Sequence, residues 1–99
     1  MQGAVINATT SGDTVIVTGT AGKDMSVYGY TIVASTNSNV SFKTGSVALT
    51  GAMPLSANGG VARDVGPYPM FKTVAGDNLV ISLSAVANVQ GHLEYTVSG

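Results

Sequence analysis

The residues of this chain that could do acid–base chemistry are few and scattered. The acidic side chains and the single histidine are Asp13, Asp24, Asp64, Asp77, Glu94 and His92. A Ser-His-Asp triad on a nucleophile elbow needs a serine within a G-x-S-x-G turn, and the sequence has no such pattern. His92 lies in the middle of a predicted strand, which favours a solvent-facing or interface histidine over a catalytic base.

The other motifs that could bind a ligand are incomplete. Asp13 and Asp77 each follow a glycine in a predicted turn, where aspartate accepts local backbone hydrogen bonds. No twelve-residue window has the alternating oxygen ligands of a calcium loop. Gly59-Gly60 lacks the following lysine and the helix of a phosphate loop, and the chain has no cysteine. We therefore predict no catalytic residue, no cofactor, no metal site and no enzymatic activity.

The elements that position these residues are short strands. Apolar residues alternate with polar ones between clusters of Gly, Asn, Asp and Pro, and no segment has a sustained helical period. Met25 to Ser35 is long enough to bend at Gly29, where the missing Cβ favours a bulge. The other predicted strands are Thr14–Thr18, Val40–Lys43, Val47–Thr50, a short piece within 51–60, Val61–Arg63, Phe71–Thr73, Asn78–Ala85 and His92–Val97.

The last third of the chain has the clearest alternation. It predicts one buried face in each of two strands, formed by Leu79, Ile81, Leu83 and Ala85 in the first and by Leu93, Tyr95 and Val97 in the second. Their closeness in sequence suggests that the two strands are antiparallel partners. Thr20–Met25 also resembles Val74–Leu79, which indicates repeated use of one turn pattern rather than a duplication.

This pattern predicts an all-β fold. About eight strands at a spacing of 8–12 residues favour a single-domain antiparallel β-sandwich or jelly-roll-like barrel over residues 1–99. Residues 1–8 form either an edge strand or an N-terminal arm that reaches a neighbour. The first residues lack the basic and apolar regions of a signal peptide, so we expect synthesis and folding in a cytoplasm.

The charge content is low for a free protein. Only 9% of the 99 residues are Asp, Glu, Lys or Arg, the net charge is −1 and the mean hydropathy is +0.33; typical domains have about 25% charged residues. This composition argues against nucleic-acid binding and a polybasic membrane patch. It favours a protein whose surface is covered by other subunits over the alternative of a small monomer coated with Ser, Thr and Asn.

One segment combines bulky apolar residues with glycine and proline. Its candidate interface residues are Met53, Leu55, Tyr68, Met70 and Phe71. Such residues either cap a barrel or contact another subunit, and the sequence leaves both interpretations open.

Several stretches, taken together, resemble a family of small β-barrel virion proteins of tailed phages. They are Gly22-Lys23, Val27–Tyr30, Val40–Gly45, Leu49–Leu55, Ala57–Gly60, Phe71–Leu79, Leu83–Ala85 and Val89–Tyr95. The resemblance extends over roughly residues 14–97. These stretches are turns and strands, so they concern the fold more than an activity.

The resemblance implies a role in the virion. We expect a homotrimer of jelly-roll-like protomers that binds the major capsid protein and stabilises the head as a decoration, or cement, protein on the capsid surface. The alternative is a tail-fibre or receptor-binding module, with an exposed site near Tyr28, Tyr30 and Tyr68.

Overall fold

The computed structural model describes residues 2–63 and 69–98, and this part of the chain folds into β-strands joined by turns and loops. In chain order the strands of these residues are β1 (Gln2–Ala8), β2 (Gly12–Val17), β3 (Asp24–Ala34), β4 (Ser38–Thr44), β5 (Val47–Ala48), β6 (Met53–Leu55), β7 (Gly60–Arg63), β8 (Phe71–Lys72), β9 (Leu79–Leu83) and β10 (Val89–Ser98). The all-β prediction is confirmed.

The strands form two antiparallel sheets. Sheet A has the order β1-β10-β3-β7, with β8 also paired to β3, and sheet B has the order β2-β9-β4-β5, with β6 also paired to β4. Strands β7 and β8 pair with different stretches of β3, and β5 and β6 with different stretches of β4. The ten strands therefore occupy eight positions, as the spacing predicted.

The pairing order is that of a jelly roll. The first strand pairs with the last, β2 with β9, β3 with β7 and β8, and β4 with β5 and β6. The chain is thus one long antiparallel ribbon rolled into two facing sheets, which is the jelly-roll arrangement. The barrel alternative is wrong, because among the described residues the outermost strands of each sheet pair on one side only, so the two sheets are open.

Strand β3 bends where the sequence predicted it. Glu94 of β10 pairs with Gly29, whereas the next residue, Tyr95, pairs with Val27. Tyr28 is therefore the extra residue of a β-bulge beside Gly29, and such a bulge bends the strand and increases its twist.

Alternating apolar residues fill the space between the sheets. Tyr30 and Phe71 pack against the ring of Phe42, with centroid separations of 5.0 and 5.3 Å. The largest fully buried side chains are Phe42, Ile6, Ile32, Leu79, Ile81, Leu93, Val27, Val40 and Val89. Burial of such side chains is the main favourable term in folding.

The predicted hairpin of β9 and β10 is wrong. Strand β9 pairs with β2 and β4 in sheet B, whereas β10 pairs with β1 and β3 in sheet A. The two strands lie in opposite sheets, and both direct their buried faces into the same core. Residues 84–88 connect the two sheets rather than forming a hairpin turn.

Two residues that were predicted to face the core are exposed, because each lies at or beyond the end of its strand. Ala85 is exposed, since β9 ends at Leu83 and the chain leaves the sheet. Val97 is 40% exposed near the end of β10. The other predicted inward residues, Leu79, Ile81, Leu83, Leu93 and Tyr95, are buried as expected.

Candidate interaction surface

The outer face of sheet A is the broadest surface built from regular strands. Its strands β3 and β10 have 11 and 10 residues, more than any strand of sheet B. The register places outward residues in two adjacent rungs across β1, β10, β3 and β7. We call these eight residues the A face: Val5, His92, Thr31 and Ala62 in one rung, and Asn7, Gln90, Val33 and Gly60 in the next.

The A face combines neutral polar groups with exposed valines. His92 is its only titratable residue, and the Gln90 Nε2 donates a hydrogen bond to Asn7 Oδ1 at 3.3 Å. Val5 is 78% exposed and Val33 is 48% exposed. Such a mixture of apolar area and hydrogen-bonding groups with little charge is typical of the buried part of protein–protein interfaces.

His92 lies on this exposed face rather than in a cleft. Its Nε2 is 3.9 Å from Glu94 Oε1 on the same strand, and both side chains are substantially exposed. In the register its neighbours are Val5 and Thr31. Within the described residues there is no detectable pocket and no cluster of three or more potential metal ligands. No helix of this part of the chain meets the length and apolarity needed to span a bilayer.

The outer face of sheet B is crossed by an ion pair. Lys43 Nζ on β4 lies 3.0 Å from Asp13 Oδ2 on β2, so the lysine side chain spans β9 between them. Val80, the partner of Lys43 in the register, is only 4% exposed although it points away from the core; a lysine chain lying over its neighbour in this way accounts for such burial. Hydrogen bonds from Lys43 and Ser82 hold the pKa of Asp13 below its usual value.

The two aspartates assigned to turns have longer-range partners than expected. Asp13 begins a strand and binds Lys43, as described above. Asp77 lies in a turn, but its Oδ2 accepts a hydrogen bond from the Thr44 hydroxyl at 3.0 Å. That hydroxyl also accepts a hydrogen bond from the Val74 N–H at 2.8 Å. Asp77 therefore connects the β8–β9 turn to the end of β4.

Four of the five predicted interface residues lie at the opposite edge of the sandwich from β1. Leu55 is a core residue, and Met53, Met70 and Phe71 are half-buried against the core. The Tyr30 hydroxyl lies 3.6 Å from the Met53 sulfur, and Met70 donates its N–H to the Val27 carbonyl. Tyr68 lies outside the described residues.

Sequence reasoning missed the A face as a unit. It correctly placed His92 on the outward side of its strand. It could not predict that His92 lies beside Val5 and Thr31, because these residues are far away in the chain. The sequence of β1 carries no polar–apolar alternation, because Gly3-Ala4-Val5-Ile6 is a continuous run of small and apolar residues, so the outward direction of Val5 is visible only in the structure.

Comparisons with known proteins identify no relative. No family model, no curated protein and no solved structure matches the chain significantly. A functional proposal for this chain therefore depends on its strand order and on the chemistry of its surface.

Proposed function

We propose that this chain is a structural virion protein that binds the head shell of a tailed phage as a decoration protein, and that the A face is its contact surface. The observation that carries the proposal is the chemistry of this face. Its two rungs present amides, a hydroxyl, small residues and exposed valines with a single titratable group. Such a surface suits adhesion to another protein.

The fold agrees with this role without deciding it. Jelly rolls occur in viral capsid proteins, but also in lectins and cupins, and one fold carries many functions. The resemblance to small phage virion proteins selects the viral interpretation, with the major capsid protein as the partner and with self-association into a homotrimer.

The charge pattern sets the physical character of the contact. On sheet B, Lys43 and Asp13 neutralise each other. The eight residues of the A face include no Asp, Glu, Lys or Arg, and the nearby carboxylate of Glu94 lies 3.9 Å from His92. A contact made by neutral groups is little affected by ionic strength, because salt screens only charges. Each copy can bind modestly, since copies linked on one shell act together.

The direct experiment is cryo-electron microscopy of phage particles produced from the genome that encodes the chain. The expected result is density for this chain at every symmetry-equivalent position on the head shell. Density only at the tail would replace the proposal with the fibre alternative, and absence from the particle would refute both.

A pair of matched variants tests the A face itself. Gln90→Arg places a charge in the middle of the A face, whereas Asn39→Arg places the same charge at an exposed position of sheet B. In cosedimentation with undecorated heads, Gln90→Arg should weaken binding at least tenfold and Asn39→Arg should bind like the unmodified chain. Equal binding of the two variants contradicts the assignment of the face.

A further inference from the structure

Strand β1 is an edge strand without the usual protection against pairing. It has seven residues, none of them ionisable and none proline. Its register with β10 runs without interruption from Gln2 opposite Tyr95 to Ala8 opposite Val89. The outer edge of such a strand presents a row of unpaired backbone groups, which natural proteins normally blunt with charges, proline or bulges.

The other outer strands of the described sandwich carry these protective features. Strand β2 contains Asp13 and a register irregularity between Val15 and Val17. The far edge of sheet A is divided between β7 and β8, and the far edge of sheet B is divided between β5 and β6 and contains Pro54. Protection is therefore present at three edges and missing at β1.

We propose that β1 pairs with β1 of a second copy of this chain, antiparallel and about a two-fold axis at Val5. In this register Val5 lies opposite Val5 of the partner subunit, and all seven residues are paired. Ala4 lies opposite Ile6 of the partner subunit, so the core-facing side chains of both copies lie on the same side of the joined sheet. A shift by one residue would reverse the faces of one sheet relative to the other.

The size of the contact fits a weak self-association. Seven residues at ~3.4 Å each give a strand length of about 24 Å, and the shortest extent of the molecule is 20 Å. The side that contains β1 could thus bury about 480 Å² on each copy, or about 960 Å² in total, which is below the ~1,200 Å² of stable specific interfaces and in the range of weak, transient contacts. β1 has no charge to repel its copy, and valine is a residue type favoured in strands.

The inference uses only the edge strand and does not rest on the proposed function. Pairing would join the two A faces into one continuous sheet surface. The symmetry is two-fold, so the homotrimer of the proposed function needs a separate contact surface on the same chain.

Cysteine cross-linking tests the pairing directly, because the chain has no cysteine of its own. Val5→Cys places a thiol at the two-fold axis. Val86→Cys is the matched control, since Val86 is 72% exposed against 78% for Val5 but lies in the β9–β10 connection. With a mild oxidant or a short bismaleimide, Val5→Cys should form covalent dimers at least ten times faster than Val86→Cys. Equal rates would overturn the proposal.

Mass measurement supplies an independent result. Light scattering of the unmodified chain at rising concentration should approach about 20 kDa, twice the protomer mass of 9.9 kDa. Val5→Lys, with an unchanged circular dichroism spectrum, should stay near 10 kDa because each pair would bring two charges together. A Val5→Lys variant that associates like the unmodified chain contradicts pairing through β1. A failure of the chain to self-associate would refute pairing through β1. It would not test whether the A face binds a head shell, which the Gln90→Arg and Asn39→Arg variants test.

Discussion

The backbone N–H of Gly76 donates a hydrogen bond to the carbonyl of Lys23 at 2.9 Å, and this bond joins two turns of the same design. In one turn Lys23 N–H bonds to the Thr20 carbonyl, and in the other Asp77 N–H bonds to the Val74 carbonyl, each at 3.0 Å. Both have Ala-Gly at the centre with the glycine at positive φ, 77° at Gly22 and 89° at Gly76, as a type II turn requires.

The contact between the two turns is close. A Cβ at Gly19 would collide with the carbonyl oxygens of Gly76 and Asp77, and the Gly19 N–H donates to Asn78 Oδ1 at 2.7 Å. The turns lead into β3 and β9, which lie in different sheets. One end of the sandwich is therefore held by paired turns.

Gly76→Ala should destabilise the protein by about 1–2 kcal/mol, the cost of an L-residue in the left-handed region. The space at this position is open, because no atom lies within 4 Å of the added Cβ, so the effect isolates backbone strain. Gly51→Ala is the control, with equally open space and no positive φ, and it should be neutral or slightly stabilising. Urea unfolding measures both, and equal values would contradict the turn assignment.

Thr44→Val should destabilise the protein by about 1–3 kcal/mol. The hydroxyl is buried and makes two hydrogen bonds, to the Val74 N–H and to Asp77, and its loss leaves the Val74 N–H without that acceptor. The comparison is Thr36→Val, whose exposed hydroxyl makes one long bond of 3.4 Å and should cost under about 0.5 kcal/mol. Thermal unfolding of both variants at pH 7 checks the difference, and a Thr44→Val variant as stable as Thr36→Val would rule out this role.

The ion pair of Asp13 and Lys43 should make stability depend on pH in acid. Because the folded state lowers the pKa of Asp13, its contribution is fully present above the ordinary aspartate pKa of about 3.9 and is lost as the pH falls through the lower folded value. The Asp13 side chain is 46% exposed, so the contribution is about 0.2–1 kcal/mol.

Asp13→Asn measures this contribution. Its unfolding free energy should lie below that of the unmodified chain at pH 7, and the gap should narrow towards pH 2, because protonation of Asp13 removes the charge from the unmodified chain. High salt should also reduce the gap at pH 7. A gap that is the same at both pH values would assign the effect to packing instead.

Phe71→Ala should weaken folding of the protomer. Phe71 packs on Phe42 and is half-buried, so we expect roughly half of the 3–5 kcal/mol typical of fully buried phenylalanine, about 2 kcal/mol. Lys72→Ala changes the exposed neighbour on the same short strand and should cost under about 0.5 kcal/mol. Reduced self-association of Phe71→Ala at unchanged stability would support the subunit-contact interpretation of this residue.

The sequence by itself determined the local features of this protein. The alternation of Leu79, Ile81 and Leu83 and the bend at Gly29 were predictable because each depends on neighbouring residues: a two-residue side-chain period and a missing Cβ. The number of strand positions followed from the spacing of the turns, whereas the choice between a sandwich and a barrel did not.

Only the tertiary structure decided which strands pair and what their outer faces carry. Strand β9 does not pair with β10, Lys43 reaches Asp13 from 30 residues away, and Val80 is buried on an outward side. Val5, His92 and Thr31 share a rung through the register alone. Alternation assigns a side chain to one of two faces, but the partner strand is chosen by how all the apolar faces close around one core, which is a property of the whole chain.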